Sequence, residues 1–305
     1  MKKFPKDLIS IADFDKEQIL DVLDLAAKLK AERKTHEKSL LNQTVGVLTS
    51  KPSLRTRLSF EVAIIELGGN SLFIKNEEVG LGMREEAEDI AKVVSRYLSS
   101  MVVRAHEHKH VVDLAKHASI PVINALTDLE HPCQILADLL TIKENFGKFE
   151  KIKLGYVGDG NNVTNSLMLA SAICGLEFYA ITPPGHEPSK KYVDWSSELA
   201  KRYSAPAPTV TNDVDEISKM DILYTDVWVS MGDDTPKEKI QDVFQPYQLS
   251  KENLKNKNIP VLHCLPAHKE EEISKEVFDA NSELIFSQAE NRLHAQKSVL
   301  IKLLR

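Results

Sequence analysis

The chain has 305 residues, about twice the length of an average domain, which calls for two domains or one large α/β unit. Its 39 Lys+Arg against 45 Asp+Glu leave a formal charge of −6, so there is no global basic field to hold nucleic acid or an anionic membrane. A hydrophobic content of 42% beside 28% charged residues, with no long apolar run, is ordinary globular composition and argues against fibrous, disordered and membrane-spanning classes.

Asp7 and Asp13 interrupt what would have to be the apolar core of a signal peptide. Cys133, Cys174 and Cys264 are too few and too scattered for a disulfide framework or a CxxC metal site. The expected compartment is the reducing cytoplasm, and nothing in these patterns calls for a cofactor or a metal. A net acidic chain can still carry a concentrated basic pocket, which composition does not see.

Residues 14–30 place Ile19, Leu20, Leu23, Ala26 and Ala27 on one helical face, with Asp13 and Asp15 as N-terminal caps. Strand 44–49 (TVGVLT) leads to a helix over 57–67 that Gly68-Gly69 terminates. Strand 70–74, a polar loop over 75–84, a helix over 85–98 and strand 101–104 follow. A helix over 111–117 then leads to strand 121–124 and a helix over 132–146. The charged stretch 147–153 marks the expected domain boundary, after which the alternation restarts.

Strands are expected at 153–157, 178–182, 209–211, 222–225 and 260–263, with a further short extended piece at 284–286 and a closing helix over 288–304. The fold this order predicts is α/β, two doubly wound domains, each a central parallel sheet flanked by helices. Ligands of such sheets sit beyond the carboxyl ends of the strands.

Read at those strand ends, the chain is rich in polar chemistry. Ser53, Arg55, Thr56 and Arg57 crowd the turn between the first strand and its helix. A helix N-terminus with hydroxyls and guanidinium forks suits phosphate oxygens, and a capped helix with exposed arginines fits the same residues. Arg104 closes the third strand, and His131 and Gln134 follow the fourth. Together the three donate as a developing oxyanion on a carbonyl substrate requires, although each has a structural alternative, such as a helix-start role for His131. Cys133 reads as a buried packing thiol.

The second half opens with Gly155-Tyr156-Val157-Gly158-Asp159-Gly160-Asn161-Asn162-Val163, which invites a dinucleotide reading. Val163 stands where the third small residue belongs, and the next strand ends without the acid that would bind a ribose hydroxyl. Asn161 and Asn162 instead offer amides suited to a zwitterionic amino acid, or to a polar helix start. Asp226 at a strand end suits an ammonium group, and Cys264 follows the last main strand. His106, His108 and His110 alternate but lack an acid or cysteine to complete a metal site, so they read as surface.

Ser53-Leu54-Arg55-Thr56-Arg57, His131-Pro132-Cys133-Gln134 with Leu136-Ala137-Asp138, Asp226-Val227-Trp228-Val229-Ser230-Met231-Gly232 and His263-Cys264-Leu265-Pro266 resemble successive signatures of the ornithine carbamoyltransferase family, over nearly the whole chain. The first two are shared with aspartate carbamoyltransferases, while the last two select ornithine. The resemblance implies that Ser53, the Leu54 backbone, Arg55 and Thr56 hold the phosphate of carbamoyl phosphate and that Arg104, His131 and Gln134 address its carbamoyl group. Arg292 completes that pocket, with Cys264 and Leu265 at its edge near the δ-amine of ornithine. Asn162, Asp226, Ser230 and the Met231 backbone are implied to bind ornithine, and Arg104, His131, Cys264 and Thr56 to carry catalysis.

Two features depart from the family pattern. Leu54 stands where the family often has Thr, losing a hydroxyl but not the backbone donor, and Val79-Gly80-Leu81-Gly82 stands where many members carry a Gln-bearing loop. The implied domains are 1–147 for carbamoyl phosphate, with 288–305 packing back on it, and 148–287 for ornithine. The resemblance further implies arginine metabolism, no cofactor, and a homotrimer or an assembly of trimers. Rival readings are transfer to putrescine or aspartate, a catalytically silent homologue, and a dinucleotide-dependent oxidoreductase.

Overall fold

The computed structural model describes residues 3–50, 53–80, 84–228 and 237–304. The chain divides into two compact units. One takes the chain as far as Leu140 and again from Glu290 onward, and the other is Thr141–Ala289. The division falls inside the helix Pro132–Phe146, ahead of the charged stretch 147–153 where the composition shifts. Composition marks where a helix ends, whereas the packing of its last turn decides which unit that turn joins.

The first unit begins with α1 (Lys16–Ala31), β1 (Thr44–Thr49), α2 (Leu54–Glu66), β2 (Asn70–Lys75) and α3 (Asn76–Val79). It continues through α4 (Ala87–Val94), β3 (Ser100–Arg104), α5 (His108–His117), β4 (Val122–Leu126) and α6 (Pro132–Phe146). Asp15 and Gln18 cap α1 reciprocally, each side chain accepting the other's backbone N–H at 2.9 Å, and the helix buries Ile19, Val22, Leu23, Ala26 and Leu29. The sheet is parallel throughout, in the order β2-β1-β3-β4. β3 is buried at every position and β1 at all but its first, as expected of strands covered on both faces.

The second unit holds β5 (Lys153–Val157), α7 (Asn162–Cys174), β6 (Glu177–Ile181), α8 (Lys190–Tyr203), β7 (Thr209–Thr211), β8 (Ile222–Thr225), α9 (Lys237–Phe244), β9 (Val261–His263) and α10 (Lys275–Ala280). Its sheet is again parallel, in the order β7-β6-β5-β8-β9. Val157, Leu223, Val261, Ile273 and Ile285 belong to one buried cluster behind it. The last helix, α11 (Ser282–Leu303), begins in this unit and ends in the first.

Three expectations are corrected. Residues 284–286 are not extended but lie in the first turns of α11, which buries Ile285 and leaves Phe286 exposed. Three consecutive apolar residues carry no period, so helix and strand were indistinguishable there. α2 starts at Leu54 rather than Arg57, because the Ser53 side chain caps it by accepting the Thr56 N–H. The stretch expected as a loop after β2 contains the single turn α3, closed by Gly80 at φ +69°.

Candidate functional site

In the first sheet β2 lies on one side of β1 and β3 on the other, so the topology switches between β1 and β3. Ligands of doubly wound sheets bind outside the carboxyl ends of the strands at such a switch. Thr49 and Arg104 are register partners there, and the Ser50 N–H and Oγ both donate to the Arg104 carbonyl, at 2.9 and 3.0 Å. The backbone that launches the Arg104 side chain is thereby clamped to the strand feeding α2. Lys51 and Pro52 lie outside the described residues.

Thr56 is fully buried in the first turn of α2. The Arg104 Nη1 and Arg292 Nη2 groups donate to its Oγ1 at 3.4 and 3.1 Å, and Ser53 Oγ lies 3.0 Å from the same oxygen. Arg104 and Arg292 are themselves buried. Two guanidiniums converging on one buried hydroxyl repel each other, a cost that a bound dianion offsets. Leu54 and Arg55 occupy the same helical turn, whose first N–H groups have no intrahelical carbonyl to bond. Leu54 itself is 71% exposed. Arg57 does not join the cluster: it pairs with Glu61 at 3.3 Å and stacks 4.2 Å from the centre of the Phe73 ring.

His131 precedes α6 and is buried. Its pKa is held well below 6.5, first by burial and then by the positive charges of Arg292, Arg104 and Arg55. The imidazole is therefore neutral near pH 7 and still carries one N–H. Cys133 is a buried thiol pushed up to about 12 by burial, and its Sγ donates to the Asn124 carbonyl at 3.3 Å. Gln134 Nε2 donates to Asp138 Oδ1 at 2.9 Å, one helical turn away. A carboxylate oxygen accepts only, so this bond turns the amide with its NH₂ toward Asp138. Gln134 Oε1, buried and without a partner among the described residues, is left as an acceptor.

The second sheet repeats the arrangement, with its switch between β5 and β8. Asn161 follows β5 and caps α7, its Oδ1 accepting from the N–H groups of Val163 at 2.9 Å and Thr164 at 3.2 Å. Its Nδ2 donates to Asp226 Oδ2 at 3.2 Å, just beyond β8. Asp226 Oδ1 accepts from its neighbour's Val227 N–H at 2.8 Å and from Cys264 Sγ at 2.9 Å, beyond β9. Asp226 is buried, while Asn162, Cys264 and Leu265 are half-buried. The three loops after β5, β8 and β9 thus meet on one carboxylate. Ser230 and Met231 lie outside the described residues.

Within the first unit the structure brings together Ser53, Thr56, Arg104 and Arg292, and within the second Asp226 and Cys264, with Asn162 beside the cap that holds Asp226. Asp138 stands outside the site residues implied by the sequence motifs, although its spacing of four from Gln134 on a helix is a usable signal. Among the described residues, Asp226, His263 and Cys264 bring three possible metal-ligand atoms within 4.8 Å, as do His268, Glu271 and Glu272. In the first group the His263 and Cys264 atoms are engaged in hydrogen bonds to Leu265 and Asp226. His106, His108 and His110 belong to neither group.

The first switch point gathers two buried guanidiniums and a neutral imidazole around one hydroxyl, and the second sets a thiol against a buried acid. A model of the aspartate/ornithine carbamoyltransferase carbamoyl-P binding domain matches residues 6–144, and one of the Asp/Orn binding domain matches residues 150–303. The chain belongs to the aspartate/ornithine carbamoyltransferase family. More narrowly, it is 45% identical to an ornithine carbamoyltransferase of Methanocaldococcus jannaschii over 96% of this chain and 97% of that one. It is 44% identical to a catabolic ornithine carbamoyltransferase of Thermoplasma volcanium over 98% of each. The solved ornithine carbamoyltransferase of Pyrococcus furiosus superposes with a TM-score of 0.93 at 39% identity, over 98% of this chain and 97% of that one.

Proposed function

We propose that the chain transfers the carbamoyl group of carbamoyl phosphate to the δ-amine of L-ornithine, giving L-citrulline and phosphate. The observation that carries this reading is the convergence of Arg104 and Arg292 on the buried Thr56 hydroxyl beside a neutral His131. In this reading the phosphate sits at the N-terminus of α2, held by Ser53, the Leu54 N–H, Arg55 and Thr56 with Arg292. Thr56, Arg104 and His131 donate to the carbonyl oxygen, and Gln134 Oε1 accepts from the carbamoyl NH₂.

Asn162, Asp226, Ser230 and the Met231 backbone hold the amino-acid end of ornithine, while Cys264 and the Leu265 carbonyl address its side-chain amine. An alkylammonium with a pKa near ~10 must lose a proton before it attacks, and Asp226 with Cys264 forms the polar surroundings for that loss. The neutral amine adds to the carbonyl carbon, negative charge gathers on the oxygen, and the bond to the phosphate oxygen breaks as the charge returns. Phosphate leaves with the electron pair and takes the second proton of the added amine, and no covalent enzyme intermediate forms. A neutral His131 donates to the oxyanion without adding a third buried cation beside Arg104 and Arg292. No cofactor takes part in this scheme.

The reaction belongs to arginine metabolism, its direction following metabolite levels. The chain works as a homotrimer or an assembly of trimers. Leu54, Leu58 and Ile65 form an exposed apolar stripe on α2, with Leu72 exposed on the edge strand β2, and a second copy of the chain would cover them. A cytoplasmic location accords with three cysteines that form no disulfide. No described helix is long and apolar enough to cross a membrane. Incubating carbamoyl phosphate with ornithine, putrescine or aspartate in parallel tests the reading: product from ornithine alone supports it, a preference for another amine reassigns the acceptor, and no product from any favours a silent homologue.

A further inference from the structure

Beyond β9 the second unit holds a hydrogen-bonded relay that the proposed chemistry does not use. His263, the last residue of β9, and Glu272 are both buried. His263 Nε2 lies 2.9 Å from Glu272 Oε1, and the same oxygen accepts from the His268 N–H at 2.6 Å. On the other side of the ring, the Leu265 N–H donates to His263 Nδ1 at 2.9 Å. A backbone N–H donates to Nδ1 only when that nitrogen carries no proton, so the ring is the neutral tautomer with its proton on Nε2. The Glu272 carboxylate, an acceptor at Nε2, selects that tautomer as a carboxylate does in other oriented histidines.

The residue held in this way is unusual. Leu265 has φ +60°, in the left-handed region that a branched side chain seldom enters, so its backbone requires support from its surroundings. Its N–H is pinned by His263, and the preceding Cys264 is pinned through its thiol to Asp226 at 2.9 Å. The His263 N–H is anchored in turn to Gln288 Oε1 at 2.9 Å. The Cys264-Leu265 pair is thus fixed from both sides by groups behind it.

We infer that Glu272 and His263 are positioning residues for amine recognition. Glu272 sets the tautomer, and Nδ1 then holds Leu265 in the conformation that presents its carbonyl, next to the Cys264 thiol, to the side-chain amine of ornithine. Neither touches substrate. The inference rests on the reading of ornithine as acceptor.

Steady-state kinetics of citrulline formation with each substrate varied, for wild type, Glu272→Ala, Glu272→Gln and His263→Asn, test it together with the ¹⁵N spectrum of histidine-labelled wild type. Glu272→Ala is expected to raise the ornithine KM about 10-fold or more, the scale of one lost oriented hydrogen bond, with the carbamoyl phosphate KM within about 2-fold. Glu272→Gln keeps an oxygen for both donors, and His263→Asn introduces an amide oxygen that accepts the N–H two residues on as in an Asx turn, so both are expected to hold the ornithine KM much nearer to wild type than Glu272→Ala does. The wild-type spectrum shows His263 protonated on Nε2 alone. A proton on Nδ1, an unchanged ornithine KM in Glu272→Ala, equal rises in both KM values, or a Gln variant as impaired as Ala overturns the inference. If wild type makes no citrulline, the substrate reading has failed, and the wild-type tautomer still decides whether the relay exists.

Discussion

Arg292 Nη2 donates to Thr56 Oγ1 across 3.1 Å, joining the last helix to the first turn of α2 over 236 positions of sequence. Arg104 Nη1 reaches the same oxygen at 3.4 Å, so one hydroxyl positions two guanidiniums. Thr56→Val keeps the shape and removes that acceptor. Turnover is expected to fall ~10²–10³-fold, the usual cost of losing an oxyanion donor, whereas Thr56→Ser keeps the hydroxyl and stays within about 10-fold of wild type. Initial rates at saturating substrates check both.

His131 makes stability depend on acidity. In the unfolded chain its imidazole protonates near the ordinary value of 6.5, while in the fold burial and the neighbouring arginines hold protonation off until well below it. Between those two points the unfolded state binds the extra proton. This contribution is therefore fully present above pH 6.5 and is lost as pH falls through that value toward the folded pKa, with a slope approaching ~1.4 kcal/mol per pH unit for one proton. His131→Gln should flatten that part of the profile in denaturant titrations between about pH 5 and 7. An unchanged slope would count against the neutral imidazole.

The Gln134–Asp138 bond makes a prediction about the carbamoyl amine. Asp138→Asn offers an NH₂ as well as an oxygen, so the Gln134 amide is no longer held one way round, and its Oε1 is no longer reserved for substrate. The carbamoyl phosphate KM should rise on the order of 10-fold, equivalent to ~1.4 kcal/mol, with the ornithine KM little changed. Steady-state kinetics with both substrates varied will show whether the effect is selective.

Gly160 is where the loop before α7 passes close to another backbone. A Cβ there would lie 2.3 Å from Pro188 N and 2.5 Å from Glu187 C, both main-chain atoms that cannot rotate away. Gly160→Ala is expected to cost ~1–3 kcal/mol or more in denaturant unfolding, as overpacking does, and to raise the ornithine KM by displacing Asn161 from Asp226. A variant as stable as wild type would mean that the loop yields at little cost.

Most of the architecture was legible because the two buried parallel sheets write themselves as short apolar runs, such as 44–49 and 153–157, between amphipathic stretches. Residues 284–286 were misread where three apolar residues in a row carry no period. Site residues at strand ends, Arg104 and Asp226 among them, could be found from the rule that ligands bind beyond the carboxyl ends of the strands. Their partners were harder to see. That Thr56 is the point where Arg104 and Arg292 meet follows only from tertiary packing, and Glu272 reaches His263 from an irregular segment with no periodicity to reveal it. Asp138 was within reach of helical spacing alone.

Carbamoyl transfer to ornithine, as proposed, depends on the phosphate being held at the start of α2. The most direct measurement is the initial rate of citrulline formation from carbamoyl phosphate and ornithine, for wild type beside Arg55→Ala. Citrulline is expected from wild type, with a fall of at least ~10²-fold in kcat/KM for carbamoyl phosphate in the variant, a loss of ~2.7 kcal/mol for a charged contact to phosphate. No citrulline from wild type, or near-normal turnover by Arg55→Ala, would contradict it.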